Sequence, residues 1–295
     1  MTMIKKNIKR LIKWFQNLLN TLFSIVKIFL FSSFKPSCKS VPKRTGKQCF
    51  ILGNGPSLKT VIANNEIDLQ NEEDVFVVND FVLSEEFQKI KPAYYLLVDP
   101  GYWTDNTFIE MIELRNKVFE SLNLKTSWKM ILFVPRQAYK TRKLQQELST
   151  NKYIDVKFFN TTEVKGFSCF ENFSYICNLG MPVLQNVLVA AIYLAINIDY
   201  KRINILGADH SWLKAISVNN KNQVCQVNTH FYDDMDVEEN VWLKFSGEPY
   251  LLHEVLIDLS KMFYAYHKLN SYGVYKRIEI SNLTKGSFID AFLRK

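Results

Sequence analysis

The sequence predicts an α/β domain built on a doubly wound parallel sheet with helices on both faces. From residue 49 onward, short apolar runs alternate with helical segments, which is typical of strand–helix–strand units. Each run also stops at small polar residues, and in parallel sheets such residues gather at one edge, where ligands bind. With 47% hydrophobic and 14% aromatic residues, the 295-residue chain can bury a substantial core.

The elements of this domain follow one another in a regular order. A Gly-rich turn after the first strand leads into a helix, and apolar strands then alternate with loops until a long apolar helix begins near Pro182. We expect strands at 49–52, 74–78, 93–98, 129–134, 202–206 and 276–280, and long helices at 182–197 and 250–269. The domain therefore spans 49–295, after an N-terminal helix over 1–34 and a basic linker over 35–48.

The N-terminal segment has the pattern of an amphipathic helix at a membrane surface. Its polar residues recur three and four positions apart, so they share one stripe of the helix: Lys13, Asn17, Asn20, Ser24 and Lys27. The rest of its surface is apolar and suits the acyl region, with lysines beside anionic headgroups. Three alternatives remain open: a spanning helix interrupted by Lys27, a signal peptide, and a helix packed on its own domain or on a partner subunit.

Positive charge is concentrated at this end of the chain. The formal net charge is +8, yet residues 1–65 contain twelve Lys or Arg and no acidic residue, whereas the remainder contains 25 basic and 29 acidic residues. A nucleic-acid-binding domain needs its basic surface on the domain itself, so we expect no nucleic-acid partner. The basic linker favours an anionic membrane surface instead.

The five cysteines favour a reducing compartment. Their number is odd, no CxxC pair occurs, and no secretory cleavage site follows the first helix. We therefore expect a protein on the cytoplasmic face of the inner membrane, peripheral or single-pass, with no zinc or other metal site. A homo-oligomer is possible on this evidence.

The turn after the first predicted strand is the leading candidate for a nucleotide site. It contains Gly53, Asn54, Gly55 and Ser57, and it lacks both GxGxxG and the Lys-Ser/Thr of a P-loop. Its glycines allow close backbone approach, the amides at the following helix start favour a phosphate, and Asn54 can both donate and accept. An ordinary strand-to-helix turn is the alternative. By the same edge rule, Asn79, Asp99, Asp209 and Asn282 should converge there.

Four histidines and one acidic motif complete the candidate chemistry. A group transfer to a hydroxyl needs a general base near neutral pH, which histidine can supply. The chain contains His210, His230, His253 and His267. Each could equally be structural, and we expect this for His267. Asp234-Met235-Asp236 has the DxD pattern of metal-dependent transferases but is preceded by no apolar strand, which favours a chance acidic loop.

Several of these segments together resemble the bacterial sialyltransferases that cap lipo-oligosaccharides, and related GNGPSL-containing cell-surface glycosyltransferases. The opening segment 51–58, ILGNGPSL, is similar to that family's first strand and nucleotide-binding turn, and 77–81, VVNDF, to its second strand, whose terminal Asn contacts the nucleotide. Gly207-Ala208-Asp209 and the closing segment 281–287 also match. The resemblance departs at Asp99, where the family has Asn, and at Gln185-Asn186, where it presents a small hydroxyl residue and a Gly to the ribose.

The resemblance, which covers about 49–293, implies a Rossmann-like domain of the GT-A-like variant with a small lid. It implies metal-independent, inverting transfer of a CMP-activated sialic-acid-like or Kdo-like sugar to a cell-surface glycan or glycolipid, with no cofactor besides the donor. His253, five residues before Asp258, matches the family's catalytic His, with His230 as the other candidate base. Tyr232 would contact the phosphate, while Gln185 and Asn186 take the ribose-facing positions.

Two other functions fit parts of the same pattern. The GNGPSL opening also occurs in archaeal-type hydroxymethylpterin pyrophosphokinases. Their reaction uses ATP and Mg²⁺, so Asp99 and Asp209 would be metal ligands, with Asp236 as a further candidate. An N-terminus that favours membranes argues against a soluble pterin substrate. The second alternative is an inactive scaffold of a polysaccharide assembly complex, consistent with the departures at Asp99 and Gln185-Asn186.

Overall fold

Ten helices and eleven strands are seen in the computed structural model, which describes residues 2–64, 67–69, 74–141, 143–148, 150–226, 240–244 and 247–295. The helices are α1 (Thr2–Phe31), α2 (Ser57–Ala63), α3 (Glu86–Ile90), α4 (Ile109–Lys125), α5 (Gln137–Thr141), α6 (Lys143–Leu148), α7 (Ser168–Ile176), α8 (Val187–Ile198), α9 (Trp212–Ala215) and α10 (Leu252–Tyr275). The strands are β1 (Gln48–Leu52), β2 (Val75–Val78), β3 (Tyr94–Leu96), β4 (Met130–Pro135), β5 (Ile154–Phe159), β6 (Arg202–Leu206), β7 (Ile216–Val218), β8 (Val224–Gln226), β9 (Asn240–Val241), β10 (Glu279–Asn282) and β11 (Leu293–Arg294).

Eight of the strands form one parallel sheet in the order β11-β10-β6-β1-β2-β3-β4-β5. The chain moves outward from β1 through β5, then returns to place β6 on the other side of β1. This reversal is the topological switch point of a doubly wound fold, and it lies between β1 and β6. The predicted α/β, Rossmann-like class is confirmed by this topology.

Helices cover both faces of the sheet because its strands are apolar on both. In β2, Val75 and Val77 belong to one buried cluster, while Phe76 and Val78 belong to the other. Successive side chains of a strand point to opposite faces, so a continuous apolar run requires cover on each side. The first cluster includes α4 residues, and the second includes α8 and α10.

Helix α8 is the central helix of the second cluster, and all twelve of its residues are buried. It begins at Val187 rather than Pro182 because Asn186 is its N-cap: the Asn186 side chain accepts a hydrogen bond from the amide of Leu188 at 2.8 Å. A capping side chain replaces the partner that a first-turn amide lacks. The residues before Asn186 are thus left free to form the edge of the site.

Most of the expected elements differ from the observed ones by a few residues at their ends, and other elements were not expected. The last strand is β10, Glu279–Asn282, rather than 276–280, because α10 continues to Tyr275 and buries Tyr272 and Gly273 in its last turns. Strand β5, helices α4 and α7, and the antiparallel sheet β7-β8-β9 were not expected from the sequence. Strand β5 is half-exposed in its middle, so it lacks the apolar run that marks the other strands.

The N-terminal helix lies against the domain with its polar side inward. Ser24 Oγ donates to the carbonyl of Lys165 at 2.8 Å and accepts from the Lys165 amide at 2.9 Å. Lys27 pairs with Glu163 at 3.5 Å. These two residues belong to the stripe expected to border headgroups, so the structure places part of that stripe on the protein. Most of the apolar surface of α1 is exposed.

The basic segment 35–48 also packs on the domain. Cys38 and Val41 are buried, and Ser37 Oγ accepts a hydrogen bond from the amide of Phe158 in β5 at 2.6 Å. The segment therefore connects α1 to β1 along the edge of the sheet.

Candidate functional site

The turns that follow β1 and β6 touch each other at the switch point. The amide of Gly55 donates to the carbonyl of Gly207 at 2.9 Å. A Cβ on Gly53 would lie 2.5 Å from the Gly207 carbonyl oxygen, and one on Gly55 would lie 2.6 Å from the same atom. Real Cβ atoms do not approach a backbone oxygen so closely, so these glycines allow two chain segments to pack. Their small size is therefore required for the contact between the two turns, whether or not a ligand also approaches their backbone.

Asp209 caps the helix that starts in this turn. Its Oδ2 accepts hydrogen bonds from Ser57 Oγ at 2.8 Å and from the Ser57 amide at 3.4 Å. A carboxylate at a helix start satisfies an amide that has no partner within the helix and interacts favourably with the helix dipole. The chain's own carboxylate therefore contacts the Ser57 amide, and phosphate binding at this helix start stays a prediction.

A cavity of 260 Å³ opens directly beside this contact. Its lining contains Gly53, Asn54, Gly55, Pro56, Val78, Asn79, Asn186, Val187, Leu188, Gly207, Asp209, His210, Ser211, Trp212, Lys214 and Ala215. Besides Asp209, this set contains five predicted site positions: Gly53, Asn54, Gly55 and Asn79, which follow strand ends, and Asn186, which the family resemblance indicated. We call it the switch-point cavity.

His210 is the most constrained side chain in the switch-point cavity. It is 5% exposed, and its Nε2 lies 2.7 Å from the hydroxyl of Tyr266. Burial lowers its pKa to about 3, so the imidazole is neutral at physiological pH. Its φ of +52° is in the left-handed region, where residues other than Gly are uncommon. Such backbone conformations persist where surrounding packing enforces them, often at functional sites.

Trp212 and Lys214 give this cavity an aromatic wall and a positive charge. The Trp212 ring lies 4.5 Å from that of His210, centroid to centroid, and the Lys214 ammonium lies 5.2 Å from the centroid of Phe288. Neither residue was selected from the sequence, and His210 was weighed without being selected. All three follow β6 directly, so extending the edge rule a few residues past Asp209 would have found them.

A second, larger cavity of 840 Å³ adjoins the first. Both are lined by Asn79, Asn186 and Val187, so they form one continuous cleft along the carboxyl edge of the sheet. The larger cavity, here the outer cavity, also contains Asp80, Val98, Asp99, Pro100, Tyr102, Trp103, Met111, Leu114, Pro135, Gln137, Thr161, Glu163, Val183, Leu184 and Gln185. Predicted residues Asp99 and Gln185 thus lie in the outer cavity and not with Gly53.

Asn54 connects the end of β1 to that of β2, and Asn79 connects the end of β2 to β3. Asn54 Nδ2 donates to the carbonyl of Val78 at 3.2 Å and to Asp80 Oδ1 at 2.9 Å. Its Oδ1 is buried without a hydrogen-bond partner among the described residues. Asn79 has a φ of +55°, and its carbonyl accepts from the hydroxyl of Tyr95. Asn54 therefore fixes this corner of the cleft, while Asn79 lies where the two cavities meet.

The outer cavity has polar groups whose bonds lie mainly within the protein. Asp99 is exposed and accepts from the Gly101 amide at 2.7 Å, which closes a short turn after β3. Gln185 donates to Asp258 of α10 at 3.2 Å. Asn186 Oδ1 caps α8 and also accepts from the Tyr266 hydroxyl at 3.4 Å. The Tyr266 hydroxyl therefore links His210 to Asn186, one of the three residues shared by both cavities.

The remaining predicted positions are less central in the structure. His253 is exposed in the first turn of α10 and is not among the described residues that line either cavity. His267 lies 3.1 Å from Asp290 on the surface, in keeping with a structural position. The side chain of Asn282 is buried in its own turn, where it bonds Ser287 and the Thr284 amide. His230, Tyr232 and Asp234-Met235-Asp236, with the expected lid, lie outside the described residues.

Comparisons with known proteins add one structural likeness. No family model matches the chain, and the search of curated proteins found no relative. Among solved structures, the chain is similar to the MAf glycosyltransferase from Magnetospirillum magneticum AMB-1, at 11% sequence identity and a TM-score of 0.45. The match covers 89% of this chain and 38% of that one, so the chain spans well under half of that protein's length. The fold assignment rests on the sheet topology itself.

Proposed function

We propose that the chain is a glycosyltransferase that moves a sugar from a nucleotide donor to a cell-surface glycan or glycolipid. The observation that carries the proposal is the pair of adjoining cavities that meet at Asn79, Asn186 and Val187. A transferase must hold donor and acceptor side by side, with the reacting carbon where the two sites join. The switch-point cavity has the groups for a nucleotide, and the outer cavity has room for the sugar and the acceptor.

The charge of the switch-point cavity favours a donor with one phosphate. Among the described residues that line it, Lys214 is the one cation and Asp209 the one carboxylate. A nucleoside diphosphate usually requires a divalent cation or several basic side chains. We therefore propose a CMP-activated, sialic-acid-like or Kdo-like donor, and metal independence remains part of this proposal.

The reaction we propose is a direct displacement with inversion. A general base removes the proton from an acceptor hydroxyl, whose oxygen then attacks the anomeric carbon. The bond from that carbon to the phosphate oxygen breaks, and CMP leaves with the electron pair. Lys214 would balance the charge that develops on the phosphate. His253 and His230 are the proposed bases; for His253, the bond between Gln185 and Asp258 ties the second turn of α10 to the outer cavity.

The proposal can be tested by calorimetry on the full chain in mild detergent, with CMP, UDP, GDP and ATP, each with and without Mg²⁺. We expect selective CMP binding that does not depend on Mg²⁺. Donor screening with CMP-activated acidic sugars and lipid-linked acceptors would then follow. His253→Ala should abolish transfer and leave CMP affinity within about twofold, because a base acts after binding; loss of both would indicate a structural role.

Other binding patterns would exclude this assignment in distinct ways. Mg²⁺-dependent ATP binding would favour a pyrophosphokinase, with Asp209 as a metal ligand. Preference for UDP or GDP would retain glycosyl transfer and change the donor. Binding of no nucleotide would favour a scaffold protein.

A further inference from the structure

Helix α1 is attached to its own domain by a polar side. Thr21 Oγ1 accepts a hydrogen bond from the Phe167 amide at 3.2 Å, and Ser24 makes two hydrogen bonds with the backbone of Lys165. Just after the helix, Ser32 Oγ donates to Thr162 Oγ1 at 2.7 Å. Thr21 and Ser24 lie three residues apart on one side of the helix, and Lys27, which pairs with Glu163 at 3.5 Å, is three residues further on. The docked side also includes Ile28, which is buried in the core, and Trp14, which contacts Phe167, whereas most of the large apolar side chains of α1 face away from the domain.

The opposite side of α1 is apolar and uncovered in this chain. At about 100° per residue, the helix places a broad set of large side chains away from the docked side: Leu11, Phe15, Leu22, Phe23, Phe29 and Leu30. These six are between 52% and 70% exposed. A continuous exposed apolar surface of this kind marks an interaction site. Of the described helices, α1 alone is long and apolar enough to cross a membrane.

The charges around this surface are those that complement anionic lipid. Lys9, Arg10, Lys13 and Lys27 lie on α1, and no acidic residue occurs before Glu66. Basic residues beside an inserted apolar face gain from anionic headgroups. A protein partner would need an acidic border around a long apolar groove, whereas a bilayer with anionic lipid offers both over any length.

We propose that α1 lies in the plane of an anionic bilayer, with its apolar side in the acyl region and its polar side fixed on the domain. The docked contacts exclude a spanning arrangement for the part of α1 from Thr21 onward, because that part is bonded to the protein surface. The part before Thr21 contains five basic residues, Lys5, Lys6, Lys9, Arg10 and Lys13, so it does not provide the ~20 apolar residues of a span.

Vesicle co-sedimentation of the full chain tests the lipid-facing side. We expect binding to phosphatidylcholine vesicles that contain an anionic phospholipid, and much weaker binding without it. Phe23→Ser/Leu30→Ser should weaken binding at least about tenfold, because two large side chains no longer enter the acyl region. The matched control is Leu124→Ser/Val274→Ser, which removes side chains 77% and 69% exposed on α4 and α10 and should bind as the wild type does.

A second variant tests the docked side without changing the helix. A Cβ on Gly166 would overlap Thr21 Oγ1 and lie 3.0 Å from Thr21 Cα, and its φ of +147° also disfavours other residues. Gly166→Val should therefore release α1, measured as faster hydrogen exchange of α1 amides without vesicles, while vesicle binding persists. If Gly166→Val fails to fold, Thr21→Val takes its place, because it keeps the side-chain shape and removes the hydrogen-bond acceptor. It should give a smaller increase in the hydrogen exchange of α1 amides.

Four results would overturn the proposal. Equal binding by the Phe23→Ser/Leu30→Ser variant and its control would show that α1 does not insert. Resistance of the wild-type chain to alkaline carbonate extraction would show a spanning helix. Unchanged hydrogen exchange in both docking variants would show that the polar side is not held. A dimer in solution that Phe23→Ser/Leu30→Ser dissociates would identify a second copy as the occupant. None of these depends on transferase activity.

Discussion

Replacing His210 with Asn should remove a large part of the acid sensitivity of this protein. In the folded chain, burial lowers the pKa of His210 to about 3, whereas a hydrated imidazole titrates near ~6.5. Between these values the unfolded chain binds more protons, so the free energy of unfolding falls as pH falls through this window. From pH 7 to pH 5, linkage gives a loss of about 2 kcal/mol for this one side chain. This loss of free energy depends little on the pKa of His210 in the folded chain, because pH 5 and pH 7 both lie above that pKa.

The assay is thermal unfolding at pH 7 and pH 5 for the wild type and His210→Asn. Asn tolerates the left-handed backbone conformation at this position and does not titrate, so the variant loses the Tyr266 bond at both pH values equally. We expect the drop in Tm on acidification to be smaller in the variant by about 4 °C or more. His253→Asn, which removes an exposed imidazole that is hydrated in both states, should keep the wild-type drop. An equal drop in His210→Asn and wild type would refute the buried, neutral His210.

Three further substitutions test the site and its supports. Lys214→Ala should weaken CMP binding about tenfold in calorimetry, because a charge-assisted bond to phosphate is lost; Lys221→Ala, on an exposed turn outside the cavity, should not. Gly55→Ala should lower the free energy of unfolding by about 1–3 kcal/mol, since its Cβ would collide with the Gly207 carbonyl; wild-type stability in urea would contradict the close packing of the turns. Asn186→Ala should cost about 1 kcal/mol in the same urea assay through loss of the α8 cap, and Asn186→Ser should recover most of it.

The sheet could be predicted from the sequence because its strands are buried on both faces. Apolar runs such as those of β1, β2 and β4 stand out against polar neighbours, and parallel pairing follows from their alternation with helices. Strand β5 has exposed and half-buried residues in its middle, so its pattern resembles that of a surface segment. The helical pattern of Ile109–Lys125 is equally weak in the sequence, because charged residues occupy its solvent-facing side.

The site was partly predictable for a related reason. The rule that strand ends converge identified Gly53, Gly55, Asn79 and Asp209 as neighbours, because the topology of the sheet alone decides which strand ends meet. What those residues bond could not be predicted, since it depends on distances between segments far apart in sequence. Asp209 and Ser57 are 152 positions apart, and their contact places the chain's own carboxylate at the helix start where a phosphate was expected.

The docked face of α1 connects membrane attachment to the cleft. Glu163 lines the outer cavity and also pairs with Lys27 of α1, while Thr162 beside it bonds Ser32. A single chain segment thus separates the helix from the cavity wall, so under the proposed in-plane attachment the cavity lies roughly one helix diameter, about 10–12 Å, from the acyl region. At that height the cavity can receive the glycan of a lipid-anchored acceptor without lifting its lipid from the bilayer. Release of α1 by Gly166→Val should therefore slow transfer to a lipid-linked acceptor and leave transfer to a soluble analogue unchanged, a difference that loss of nucleotide binding could not produce.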